Sequence, residues 1–146
     1  MEVTKGWKMT DFTIRATVAA PYDDTVERVR ELLGEAGFGV LTEIDMAATL
    51  RTKLGVEVPP RLILGACRPA LAHQALVADA RVATLLPCNV VVAEGEGGTT
   101  VEVLDPTVMA DFSPALAVVA REARERLSGM MEALTGDVED FDAARA

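Results

Sequence analysis

Apolar and polar positions alternate from Asp11 to Ala20, with Phe12, Ile14, Ala16 and Val18 on one side of Thr13, Arg15 and Thr17. A period of two predicts a first strand, solvated on one face and ended by Pro21. The period then changes: Val26, Val29, Leu32, Leu33 and Ala36 recur at helical spacing. Asp24 and Glu27 form a capping-box-like start, and Gly37 is a natural stop because it tolerates a left-handed backbone. A second strand is expected over 38–44, where Val40, Thr42 and Ile44 alternate against Leu41 and Glu43. Asp45 can cap a short helix with Met46, Leu50 and Leu54 on its apolar face, closed by Gly55.

Pro59 and Pro60 force extended geometry into a third strand, 61–66. Pro69 suits the first position of another helix, which turns Leu71, Ala72, Ala75 and Leu76 inward. Residues 81–86 fit either a short helix or an extended run before Pro87. Strands over 88–94 and 99–104 flank the hairpin signal Glu96-Gly97-Gly98. The last helix opens at Ser113-Pro114 and carries Leu116, Ala120, Ala123, Leu127, Met130 and Leu134 on one stripe. That stripe suits a helix lying on its own sheet. Its near-3.5 period also suits a seam with a partner helix, hence a homodimer.

Five strands with a terminal hairpin predict an α+β domain: an antiparallel or mixed five-stranded sheet with helices on one face. The division is an N-terminal lead-in (1–10), one domain (11–135) and an acidic tail (136–146) expected to be disordered.

Composition narrows the function. The net charge of −9, with 14 basic residues against 23 acidic ones, disfavours nucleic acid, whose binding scales with phosphate neutralisation. No apolar run reaches the roughly 20 residues needed to span a bilayer, and the N-terminus has no signal core. A cytoplasmic protein without a membrane partner is expected, with both cysteines as free thiols. There is no nucleophile elbow, phosphate loop, zinc-protease helix or dinucleotide fingerprint.

The unusual chemistry lies between Pro59 and Asn89, which holds Cys67, Cys88 and the single histidine, His73. Cys67 precedes a helix N-terminus and adjoins Arg68, a setting that favours a thiolate. Cys88 starts a strand. If both thiols met His73 they could hold zinc, with Glu43, Asp45, Asp105 or water as fourth ligand. The spacing matches no strong metal rule, and each cysteine is better read as a small core residue. The sequence names no cofactor.

VLTEID (40–45), LG (54–55), P-x-x-ILGAC-x-P-x-LAH-x-AL (60–76), LLPCNVVV (85–92) and DP-x-x-M (105–109) resemble a bacterial and archaeal domain family of unknown function, number 302. The resemblance implies a fold like the TATA-box-binding-protein class, strand–helix–four strands–helix, usually dimeric. No activity is carried over. The family motif falls on Glu43, Asp45, Cys67, Pro69, His73, Cys88, Asn89 and Asp105, and Arg68 stands where asparagine is expected. The resulting expectation is a non-catalytic, dimeric domain binding a small ligand through Glu43, Asp45, Cys67, His73, Cys88, Asn89 and Asp105. The alternative is a thiol-dependent or metal-binding enzyme or sensor using Cys67 with Cys88 and His73.

Overall fold

The fold is taken from a computed structural model that describes residues 6–145, the side chains of 137–145 excepted. Among the described residues six strands form one sheet in the order β1-β2-β6-β5-β4-β3, and every neighbouring pair is antiparallel. They are β1 (Trp7–Met9), β2 (Thr13–Val18), β3 (Gly39–Asp45), β4 (Arg61–Cys67), β5 (Cys88–Gly95) and β6 (Gly98–Leu104). The expected count of five is therefore corrected to six, and the mixed alternative gives way to a wholly antiparallel sheet. The additional strand lies within the stretch read as a lead-in. Three residues are too few to show a period, yet Trp7 and Met9 straddle Lys8 and pair with Ala16 and Ile14.

The helices are α1 (Tyr22–Glu35), α2 (Met46–Leu54), α3 (Pro69–Ala78), the short α4 (Met109–Phe112) and α5 (Ala117–Arg145). Residues 81–86 resolve as mostly a 3₁₀ turn, Ala80–Leu85, with Val82 buried. α1 starts two residues earlier than its acidic signal. Pro21 is its N-cap and makes no side-chain cap, while Asp23 and Asp24 sit in its first turn, where carboxylates suit the positive helix end. Gly37 ends it at φ +86°.

One face of the sheet supplies the core. Ile14, Ala16 and Val18 of β2, Leu62, Leu64 and Ala66 of β4, Val90 and Val92 of β5, and Val101 and Val103 of β6 join Val29, Leu32 and Leu33 of α1 and Leu127, Met130 and Met131 of α5. Phe12 does not join them; it is 60% exposed just before β2. The stripe of the last helix is the clearest outcome: Leu116, in the 3₁₀ turn just before α5, and Ala120, Ala123, Leu127, Met130 and Leu134 within it are each no more than 9% exposed. It packs in its own protomer, so it is not free to form a partner seam. The tail expected over 136–146 is continuous with α5 as far as Arg145, and its side chains from 137 on lie outside the described residues.

β3 departs from its expected pattern. It is an edge strand, every position is exposed, and its register with β4 shifts between Val40 and Thr42. That bulge turns Val40 and Ile44 out of phase, so the alternation read from sequence does not bury one side. In α2 only Ala47 is buried, and Leu54 is exposed.

Candidate functional site

The residues singled out from sequence separate into two places. Cys67 ends β4 and Cys88 begins β5. Ala66 stands opposite Cys88 in register, so Cys67 lies one step from it, and both line a cavity with Phe38, Leu71, Ala75 and Met109. The cavity is about 40 Å³, room for a few waters at most and far below the usual ligand pocket. Cys88 is buried, and burial, followed by the nearby Cys67, pushes its thiol up to about 11. A neutral thiol is a poor nucleophile and a poor metal ligand.

Arg68 does not serve the thiols. Its Nη1 donates to the Ala36 carbonyl at 3.4 Å, at the C-terminal end of α1, where a cation is favoured. The guanidinium lies over Gly37, a position that a Cβ would fill, and its Nε is buried with no partner among the described residues. His73 is exposed on α3 and absent from the cavity wall. Among the described residues, no three His, Cys, Asp or Glu side chains come together in a metal-holding group. The Cys67–His73–Cys88 set is thus not assembled, because a helix residue four places beyond Pro69 projects away from the strand ends.

Asp105 is buried and structural. Its Oδ1 accepts from the Thr107 amide at 3.0 Å and the Thr107 hydroxyl at 2.7 Å, and Arg124 approaches to 3.8 Å. Asn89 is exposed, and strand alternation places it on the sheet face opposite its neighbours Cys88 and Val90.

Glu43 and Asp45 lie elsewhere, at the other end of the strands. Glu43 pairs with Arg30 of α1 at 2.7 Å. Asp45 caps α2 by accepting from the Ala48 amide at 2.9 Å. Asp45 also borders a cleft of about 460 Å³ formed with Tyr22, Asp23, Arg51, Val58, Pro60 and Glu94. The start of α1, the first turns of α2 and the end of β5 build it. Tyr22 is held neutral to above its ordinary range, first by burial and then by Asp45, Asp23, Glu43 and Glu94. Arg51 is already engaged with Glu57 at 3.1 Å, leaving the cleft dominated by carboxylates.

Tyr22, Asp23 and Glu94 were not picked from sequence. The available signal was a lone tyrosine directly after Pro21 at a helix start; the approach of Glu94 depends on sheet topology.

The chain matches the profile of DUF302, a domain of unknown function, over residues 14–134. It is similar to the crystal structure of an uncharacterized conserved DUF302 protein from Bacillus stearothermophilus, at 30% identity and a TM-score of 0.78. That likeness covers 84% of this chain and 97% of the other. No curated protein matches it. With the profile spanning most of its length, the chain belongs to the DUF302 family.

Proposed function

We propose that this chain is a non-catalytic binding domain whose ligand, a small organic cation, enters the cleft between α1, α2 and the end of β5. The observation that carries the reading is the Tyr22 phenol, set among Asp45, Asp23, Glu43 and Glu94 at a cleft of about 460 Å³. That volume lies within the usual range for small-molecule sites, and the surrounding negative potential selects a positive ligand. The thiol reading draws less support, since the Cys67–Cys88 cavity is small and Cys88 is neutral. The implied likeness to TATA-box-binding proteins concerns architecture only; a shared fold carries no nucleic-acid function.

Tyr22 is the only tyrosine, so its ionisation can be followed by ultraviolet difference absorbance. Its folded pKa exceeds the unfolded value, so the associated stability is present below the unfolded pKa. It is lost as pH rises through the folded value. Agmatine keeps its guanidinium charged throughout that range, as arginine does. Bound in the cleft, it offsets the carboxylates and lowers the Tyr22 pKa in a saturable manner, and Asp23→Asn weakens the effect. A tyrosine titration unchanged by millimolar agmatine would remove this reading.

A second reading, self-association, is favoured by the exposed apolar residues Leu54, at the end of α2, and Val56 and Val58 just beyond it. With the α5 stripe buried, this is the surface we assign to a homodimer. Sedimentation equilibrium should give a dimer that Val56→Asp converts to monomer; a wild-type monomer at all loadings would reject it.

A further inference from the structure

Among the described residues, the face of the sheet turned away from the core contributes none to either buried cluster, although Thr13 and Ala93 on it are themselves buried. Registers between neighbouring strands join one unbroken row across it: Lys8–Arg15–Glu102–Val91–Ile63–Ile44. One half is charged and the other aliphatic. A solvated antiparallel face is ordinarily polar throughout, so the aliphatic half calls for a cause. Ile63 and Val91 are half-buried and Ile44 is 44% exposed.

The charged half is unusual too. Lys8 and Arg15 stand directly across from each other, a cross-strand arrangement of like charges that weakens the pair. Arg61 lies on the same face, opposite Ala93. Three cations against one carboxylate thus occupy these strand positions in a chain whose net charge is −9. Glu102 is itself an acceptor for the Thr13 hydroxyl.

We propose that this uncovered sheet face docks an acidic amphipathic helix from a partner protein, with carboxylates over Lys8 and Arg15 and aliphatic side chains over Val91, Ile63 and Ile44. Six strands set the row's length at about 24 Å, from strand spacings near 4.8 Å. A helix of about 16 residues spans that length. A second copy docking face to face fits poorly. One two-fold arrangement brings cations against cations, and the reversed one brings them against aliphatic groups. Nucleic acid answers the cations but not the aliphatic half, and the overall negative charge repels it.

The test uses the full chain and a labelled synthetic helix of about 16 residues. The peptide carries glutamates along one face of its first two turns and leucines along the same face of the remainder. Fluorescence anisotropy should show saturable, salt-weakened binding. Arg15→Glu and Lys8→Glu, both at exposed positions, should each weaken it by about tenfold. Ile63→Asp should do so independently of salt, and a peptide with lysine in place of glutamate should not bind. Amide shifts in NMR spectra should map to β4, β5 and β6 residues of this face. The proposal is overturned by no binding of the acidic helix, by equal binding of the lysine peptide, or by shifts confined to the helical side. It is equally overturned if duplex DNA competes through the same residues, or if Ile63→Asp merely dissociates a self-associated form.

Discussion

Replacing Leu127 with alanine should lower the free energy of unfolding by about 2–5 kcal/mol, the range for deleting a large aliphatic side chain from a closed core. Leu127 is fully buried and lies among the sheet residues and α1 residues of the main cluster. Its neighbours along the helix, Ala123 and Met130, are buried as well, so the void has little freedom to collapse. The reading also fixes a second feature of the outcome. A stripe packed in its own protomer gives a loss that does not change with protein concentration, whereas an intersubunit seam gives one that does. Urea unfolding at two loadings well apart separates them. A loss below about 1 kcal/mol, or one that vanishes at high loading, would contradict the assignment of α5 to the core.

Gly98→Ala is expected to destabilise by about 2–4 kcal/mol, combining backbone strain with steric overlap. Gly98 follows the two-residue Glu96–Gly97 turn and pairs with Gly95. Its φ is +127°, a region that side-chain-bearing residues rarely occupy. The added Cβ would also run into the Val18 carbonyl oxygen. Relief would require β2 and β6 to separate at the very pair, Val18 and Thr99, that begins their ladder. Gly97 is the internal control: a Cβ there meets nothing within 4 Å, and Gly97→Ala should stay within about 0.5 kcal/mol of wild type. Thermal melts of the two variants compare them directly. Equal melting temperatures would show that the hairpin takes up the strain elsewhere.

The sequence revealed elements wherever one physical rule governed a long stretch. The α5 stripe, the β2 alternation and the Asp45 cap were legible because burial period and capping chemistry are local properties. β1 was not, since a three-residue strand at the sheet edge exists through its pairing with β2. The bulge in β3 was hidden for a related reason: a one-residue register shift leaves the composition unchanged while turning the side chains out of phase. At the candidate site, the local setting of each residue was legible from sequence but their combination was not. Cys67 does precede a helix, yet Arg68 reaches back to Ala36 instead of serving the thiol. Glu43 and Asp45 were legible as carboxylates, whereas Tyr22 and Glu94 reach them only through the folded arrangement of α1 and β5.

The irregular register of β3 also bears on the chain's behaviour at high concentration. An edge strand seven residues long, with no proline or lysine, offers unpaired amides and carbonyls to any similar strand. Strand-to-strand growth between molecules needs an even ladder, and the shift between Val40 and Thr42 interrupts it. The closely spaced Glu43 and Asp45 add repulsion when two such edges approach. The bulge and the two carboxylates thus work against strand-to-strand growth at an edge whose aliphatic side chains are exposed.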